Sequence, residues 1–164
     1  MMIRALILSD IHGETTTLRW LLEEVWKQVG PIDAYICLGD GVRDFDNAEG
    51  FIRNRDPHAT MYAVKGNNDF VRDMPDRLTI HLGGLKIFLT HGHMQRVKSS
   101  MDYLISAART AGADIALYGH THCADVEYFT PWLVNPGAVM DDRCALLEIE
   151  NGKPHVKMIS LGFK

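Results

Sequence analysis

Residues 3–12 read Ile-Arg-Ala-Leu-Ile-Leu-Ser-Asp-Ile-His, an apolar run that ends in a carboxylate and an imidazole. A short run of this kind, without polar alternation, is typical of a strand that is buried on both faces. The run lies at the N-terminus, but it carries one positive charge and leads directly into Asp10 and His12. It therefore predicts a first core strand rather than a signal peptide.

The segments that follow predict alternating helices and strands. Residues 15–29 have apolar side chains at helical spacing, with Thr15–Thr17 as candidate N-caps and Gly30-Pro31 as the stop signal. Residues 34–38 and 60–64 are further apolar runs, and residues 44–55 suit a more polar helix between them. This β-α-β-α-β order predicts a parallel sheet with covering helices.

The second half of the chain has a different pattern. Residues 78–82 and 85–90 flank Gly83-Gly84 and predict a hairpin. Residues 99–111 predict a helix that Ser99 or Ser100 caps and Gly112 ends. Further strands are predicted at residues 115–118, 125–129, 132–135, 144–150 and 155–161. The whole pattern predicts two packed sheets with helices outside, in a single domain over residues 1–164.

Composition limits the partners of this chain of 164 residues. Its net charge of -4 gives no broad attraction to anionic lipid or to nucleic acid as a large ligand. No run reaches the roughly 18 apolar residues that a membrane span needs. The three cysteines are an odd set without tight spacing, which favours a reducing compartment. We therefore expect a cytoplasmic protein without membrane association, and a homo-oligomer is compatible with these features.

Five short motifs follow apolar runs, each at the point where a predicted strand ends. Because ligands gather at the carboxyl ends of strands in α/β sheets, we expect the motifs to meet in one site. Carboxylates, an amide carbonyl and imidazoles suit Mn²⁺, Fe²⁺, Zn²⁺ or Ni²⁺. Six or seven such ligands exceed the need of one ion, whereas two ions that share a carboxylate would use them all. The motifs are Asp10-Ile-His12, Gly39-Asp40, Gly66-Asn67-Asn68-Asp69, His91-Gly-His93 and Gly119-His120-Thr-His122.

Each motif alone has a simpler interpretation. Gly39-Asp40 is typical of a turn, and Asp10 could cap a helix. His120 and His122 could lie on an ordinary polar loop. All of these interpretations would have to hold at once to explain five ordered motifs at strand ends, so the pattern favours a shared metal site.

The ordered motif set resembles that of the calcineurin-like metallophosphoesterases, from Asp10 to Asn135-Pro-Gly-Ala138. The short chain is similar to the small bacterial and archaeal phosphodiesterase branch, which shares its fold with a eukaryotic retromer subunit. The resemblance implies an α/β fold, a four-layer α-β-β-α sandwich of two mixed sheets flanked by helices. It also implies a metal-dependent hydrolase of small phosphoesters, with diesters favoured over monoesters.

The resemblance further implies two divalent ions per chain, with Mn²⁺ favoured and Fe, Zn or Ni as alternatives. In related enzymes a bridging hydroxide attacks phosphorus in line while the ions stabilise the developing charge. The implied ligands of one ion are Asp10, His12 and His122. The implied ligands of the other ion are Asn67, His91 and His120, and Asp40 is implied to bind both ions.

Two further residues are predicted to be catalytic. Many members of the wider family carry a histidine where this chain has Asn68. Asparagine can donate a hydrogen bond to a phosphate oxygen, but it cannot act as a general acid near neutral pH. His93 is the nearest candidate donor by sequence, and substrates with good leaving groups are favoured. Asp69 is predicted to be a hydrogen-bond partner of a metal-binding histidine.

A scaffold is the alternative function. The same fold could bind partner proteins through its surface, as the retromer subunit does, with weak catalysis or none. All seven implied ligands are present, which a pure scaffold does not require. Arg43 follows Asp40 closely and could reach a phosphate, so the enzyme is the favoured prediction.

Overall fold

The computed structural model describes residues 1–162, which form ten strands, four helices and one short 3₁₀ helix. In chain order the elements are β1 Met2–Leu8, α1 Thr15–Gln28, β2 Ala34–Cys37, α2 Val42–Asn47, α3 Glu49–Arg55, β3 Thr60–Ala63, β4 Arg77–Leu82, β5 Leu85–Thr90, α4 Asp102–Thr110, β6 Ile115–Leu117, β7 Asp125–Glu127, β8 Trp132–Asn135, the 3₁₀ helix Val139–Asp141, β9 Arg143–Glu150 and β10 Lys153–Ser160.

The strands form two mixed sheets of five strands each. The first has the order β10-β9-β1-β2-β3, and the second has the order β4-β5-β6-β8-β7. In each sheet three neighbouring strands are parallel, β1-β2-β3 in the first and β5-β6-β8 in the second. The outer pairings are antiparallel. The two mixed sheets confirm the predicted sheet architecture.

Alternating side chains of β1 show how the layers are built. Ala5 and Ile7 belong to the core between the two sheets, whereas Leu6 and Leu8 belong to the core beneath α1, α2 and α3. This division follows from the period of two in a strand, which sends successive side chains to opposite faces. On the far side of the second sheet, α4 packs through Leu104 against its outer face. The molecule is therefore a four-layer α-β-β-α sandwich, as predicted.

The glycine pair at residues 83 and 84 forms the predicted hairpin. Gly83 and Gly84 have φ values of 56° and 85°, so both central residues of the turn are left-handed. A two-residue turn of this kind matches the twist of the strands that it joins, and glycine adopts it without a steric penalty. Leu82 pairs with Leu85 across the turn, which fixes the register of β4 on β5.

Two of the predicted helices have different boundaries, and both predicted N-caps are wrong. The single helix expected at residues 44–55 is divided into α2 and α3 at Ala48, whose ψ of -4° is less negative than in a regular α-helix. α4 begins at Asp102, and its N-cap is Met101 rather than Ser99 or Ser100; Ser100 Oγ accepts a hydrogen bond from Asp102 N–H in a local turn. α1 begins at Thr15 as predicted, but its N-cap is Glu14, without a side-chain hydrogen bond, so the expected threonine cap is wrong.

None of the helices within residues 1–162 is long and apolar enough to cross a membrane.

The carboxyl ends of the parallel strands meet at one edge of the sandwich. The loop after β1 bonds to the loop after β2, through Asp10 N–H and the Gly39 carbonyl at 3.0 Å. The two sheets are joined there as well, because His120 N–H donates to Asp10 Oδ2 at 3.1 Å. Residues that lie far apart in sequence therefore share this edge.

Candidate metal centre

Six of the seven predicted ligands form two adjacent clusters at this edge. Within each cluster one donor atom from every residue lies within 4.8 Å of the others. Asp40 also lies near the other cluster, with its Oδ2 3.6 Å from His12 Nε2. The clusters are Asp10, His12 and His122 in one and Asp40, His91 and His120 in the other.

Asn67, the seventh predicted ligand, is exposed on the loop between β3 and β4. None of the contacts described for residues 1–162 joins its side chain to the two clusters. The next residue, Asn68, is in direct contact with Asp40. Asn67 therefore lies on a loop that reaches the site, and its role as a ligand stays a prediction.

Five of the clustered residues have left-handed backbone conformations, which are uncommon for residues other than glycine. Such conformations cost energy, and they tend to persist at functional sites, where the surrounding structure holds them. Here they turn the chain sharply after each strand and bring the side chains together. The residues and their φ values are Asp10 at 54°, His12 at 48°, Asp40 at 56°, His120 at 70° and His122 at 63°.

The glycines of the motifs allow the loops to pack closely. A Cβ atom on Gly66 would collide with the Asp40 carboxylate, and one on Gly119 would collide with Ser9 Oγ. The loops therefore require glycine next to the ligands, which explains why Gly precedes the polar residue in these motifs.

The imidazole of His91 is fully buried and has a fixed orientation. Its Nδ1 lies 2.8 Å from the Leu38 carbonyl, which can only accept a hydrogen bond, so Nδ1 carries the hydrogen. The other nitrogen, Nε2, faces the cluster and lies 3.3 Å from Asp40 Oδ2. A histidine that is oriented in this way presents Nε2 to an ion.

The electrostatics of the clusters favour positive charge. Burial alone would raise the pKa of Asp40, but the adjacent His91 imidazole and the hydrogen bonds from Asn68 outweigh burial and lower that pKa well below its usual range. Burial alone would lower the pKa of His91, but Asp40 and Asp10 raise it. The Asp40 carboxylate thus stays ionised and stabilises a positive charge at the position of His91.

Two buried atoms support a bound cation. Asp10 Oδ1 and His91 Nε2 are buried, and neither has a hydrogen-bond partner. They lie 3.8 Å apart. Buried polar atoms without partners are costly, and cations bound in the two clusters would satisfy them. Because the donors are carboxylates and imidazoles, the residues fit divalent first-row transition metals.

Asp69 has a different role from the predicted one. Its carboxylate accepts hydrogen bonds from backbone rather than from a metal-binding histidine. The distances from the donor nitrogens are 2.6 Å for Asp40, 3.0 Å for Gly41, 3.2 Å for Val42 and 2.7 Å for Gly66. One side chain therefore fastens the loop after β2 to the loop after β3.

The two predicted catalytic residues lie beside the clusters. Asn68 donates to both oxygens of Asp40, from its backbone N–H and from Nδ2, each at 2.9 Å. His93 is partly buried, and its ring centroid is 5.5 Å from that of His91. Burial and the neighbouring His91 lower the pKa of His93. Asn68 is therefore in position to orient Asp40, and His93 borders the cluster as a neutral imidazole near pH 7.

Asn135, at the end of β8, is a positioning residue that the sequence did not assign. Its Nδ2 donates to the Gly119 carbonyl and to Thr121 Oγ1, and its Oδ1 accepts from Gly137 N–H. The side chain is fully buried. The sequence did contain a signal for such a role, since Asn135 is a polar residue that ends an apolar strand and precedes Pro-Gly. Asn135 holds the loop that carries His120 and His122.

The four-layer sandwich and its carboxylate–imidazole clusters define an α/β protein with a candidate metal centre. The sequence model of the calcineurin-like phosphoesterase superfamily domain matches residues 3–152. The chain belongs to the calcineurin-like phosphoesterase superfamily, which confirms the resemblance found in the motifs.

Three relatives illustrate the range of the family. The chain is 32% identical over 160 residues to "Probable metallophosphoesterase YsnB" of Bacillus subtilis, covering 93% of this chain and 88% of that protein. It is 28% identical to phosphodiesterase MJ0936 of Methanocaldococcus jannaschii, covering 80% of this chain and 81% of the relative. It is also 31% identical to vacuolar protein sorting-associated protein 29 of Schizosaccharomyces pombe, covering 81% of this chain and 70% of the relative.

A solved structure shares the fold. It is that of a conserved protein from Streptococcus pneumoniae described as a predicted phosphoesterase. The TM-score is 0.75 at 26% identity, over 98% of this chain and 90% of the other.

Proposed function

We propose that the protein is a metal-dependent phosphodiesterase that binds two divalent ions. The observation that carries the proposal is the pair of adjacent clusters, with Asp40 near both of them. Two such ions, when bound, lower the pKa of an attacking water toward about 7 and stabilise the charge that develops on the phosphate.

We assign Asp40 as the shared ligand of the two ions, Mn²⁺ being favoured for both. The remaining ligands of one ion are Asp10, His12 and His122. Those of the other ion are Asn67, His91 and His120.

The protein's own residues would orient the ligands and the ester. Asn68 holds the Asp40 carboxylate by two hydrogen bonds, and Asn135 holds the loop of His120. In the reaction, the oxygen of water forms a bond to phosphorus, the P–O bond to the leaving group breaks, and the leaving oxygen takes up a proton. We assign the partly buried His93, whose ring lies beside that of His91, to hydrogen-bond that oxygen.

The charges around the site favour a diester over a monoester. Arg43 is the single cationic side chain among the described residues that line the cavity beside Asp40 and Asn68. A phosphodiester carries one negative charge, whereas a monoester dianion would need more positive surroundings. The name of the archaeal relative, a phosphodiesterase, supports the same choice.

Hydrolysis of bis(p-nitrophenyl) phosphate tests the proposed function. We expect the protein to be inactive after chelation and dialysis, and to regain turnover when Mn²⁺ is added, because the clusters alone provide no activated water. The measurement is the initial rate against metal concentration, with bound metal counted by elemental analysis. Full activity in metal-free protein would contradict the metal-dependent mechanism.

Replacement of His93 by alanine tests its role toward the leaving group. Because its pKa is lowered, the neutral imidazole can offer a hydrogen bond rather than a full proton transfer. We expect kcat to fall about tenfold for an ester with an alkyl leaving group, and less for p-nitrophenyl esters. His155, which lies on β10, provides the control variant His155→Ala. Equal losses for both kinds of ester would exclude this role.

A binding scaffold is the second candidate, favoured by the similarity to vacuolar protein sorting-associated protein 29. In that case the clusters would bind metal, but the protein would hydrolyse none of a panel of phosphoesters with any divalent ion. Metal binding without turnover in the bis(p-nitrophenyl) phosphate assay would support the scaffold over the enzyme.

A further inference from the structure

A cavity of about 420 Å³ opens beside the metal clusters. His12, Asp40 and Asn68 form one part of its wall, and Arg43, Phe70 and Val71 form another. Its volume is in the range of small-molecule sites, about 300–1,000 Å³. A phosphoester at the clusters would therefore have an adjacent space for one of its ester groups.

Phe70 is the unusual side chain of this cavity. It is 91% exposed, so its ring has almost no packing within the protein. Single exposed apolar residues are common on protein surfaces, but this one lines a cavity that also contains predicted metal ligands. The preceding residue, Asp69, fastens this loop to the loop after β2, so Phe70 extends from an anchored segment of backbone. An exposed ring on an anchored segment is suited to stacking on another ring.

Arg43 supplies the charge that such a ligand needs. Within residues 1–162 no carboxylate is described in ion-pair contact with its guanidinium. The neighbouring Asp44 accepts a hydrogen bond from Gly13 N–H. Arg43 is therefore available to bind an anionic phosphate oxygen through a charge-assisted hydrogen bond.

We propose that Phe70 and Arg43 select phosphodiesters that carry an aromatic ring in an ester group. Arg43 binds an anionic oxygen of the phosphate, and Phe70 stacks on the ring in the cavity. This inference rests on the proposed function, since it names the class of ester that the same site accepts. The ring can belong to an aryl ester or to the base of a nucleoside ester.

Competitive inhibition of bis(p-nitrophenyl) phosphate turnover tests the inference with the Mn²⁺-loaded protein. The methyl ester of phenylphosphonate and the methyl ester of methylphosphonate each carry one negative charge, as a phosphodiester does, and they differ in the ring. We expect the wild type to bind the phenyl compound about tenfold more tightly, and Phe70→Ala to reduce this ratio to less than about twofold. Phe70→Tyr should retain the ratio. Arg43→Gln should weaken both inhibitors by similar factors and leave the ratio unchanged.

Phe129→Ala is the matched control. Phe129 is 80% exposed, and it lies between β7 and β8, at the end of the second sheet opposite the clusters. Its replacement should change neither inhibitor. Since Phe70 is also exposed, neither variant removes core packing.

A second pair of inhibitors distinguishes the two sources of the ring. The methyl ester of thymidine 5′-monophosphate and the methyl ester of 2-deoxyribose 5-phosphate carry one negative charge each and differ in the base, which lies farther from phosphorus than a phenyl group does. If binding of the thymidine compound over the sugar phosphate compound depends on Phe70, the site accepts a nucleoside ester. If only the preference for the phenyl compound over the methyl compound depends on Phe70, the site accepts an aryl ester. An unchanged ratio for both pairs in Phe70→Ala would overturn the inference. Absence of turnover in the wild type would instead refute the proposed function.

Discussion

Replacement of Asp40 by asparagine is expected to lower turnover of bis(p-nitrophenyl) phosphate by about 10³-fold or more. Asp40 Oδ2 lies 3.6 Å from His12 Nε2 in one cluster and 3.3 Å from His91 Nε2 in the other. A neutral amide cannot supply the negative charge that the two proposed cations would share. Loss of several kcal/mol of charge stabilisation corresponds to three or more powers of ten in rate.

Asparagine is chosen because it keeps the size of the side chain. Asn68 donates to both oxygens of Asp40, so the amide loses one of these hydrogen bonds but creates no cavity. The measurements are kcat/KM at saturating Mn²⁺ and the number of ions bound per chain. Asp46→Asn, an exposed position on α2, is the control and should keep both values. A fully active Asp40→Asn protein with two bound ions would contradict the role of a shared ligand.

The architecture was predictable from the sequence because it depends on patterns that repeat. Apolar runs such as residues 5–8 are buried in the two cores, and the Gly83-Gly84 pair forms the predicted hairpin. Helix boundaries were less predictable. The division at Ala48 and the late start of α4 depend on local hydrogen bonds that compete with the helix, and the sequence pattern does not resolve them.

The clustering of six of the predicted ligands was predictable because the carboxyl ends of parallel strands meet at one edge in α/β proteins. The residues that hold these side chains in place were less predictable. Asp69 binds backbone N–H groups of two loops that lie 24 or more residues apart, a contact that exists only after folding. Asn135 crosses from β8 to the loop after β6 in a similar manner. Motif spacing identifies a donor atom, whereas the partner of a buried amide or carboxylate depends on how the loops pack.

Removal of the Asp69 carboxylate should weaken both the fold and the metal centre. In Asp69→Ala four backbone N–H groups lose their acceptor, at Asp40, Gly41, Val42 and Gly66. Buried donors without partners cost about 1–3 kcal/mol each, but this site is partly open to water. We therefore expect the free energy of unfolding to fall by about 2–4 kcal/mol, measured by urea denaturation of the metal-free protein.

Metal affinity should fall as well, because the bonds of Asp69 fix the loop that carries Asp40 and join it to the loop of Asn68. Loss of such a supporting residue typically weakens metal binding about 10–100-fold, which a competition titration with a chelator would measure. Asp69→Asn retains one acceptor oxygen, so both losses should be smaller than in Asp69→Ala. Asp46→Ala, in the exposed part of α2, controls for the loss of one negative charge. If Asp69→Ala lowered stability but left Mn²⁺ affinity intact, Asp69 would join the two loops without positioning the metal ligand.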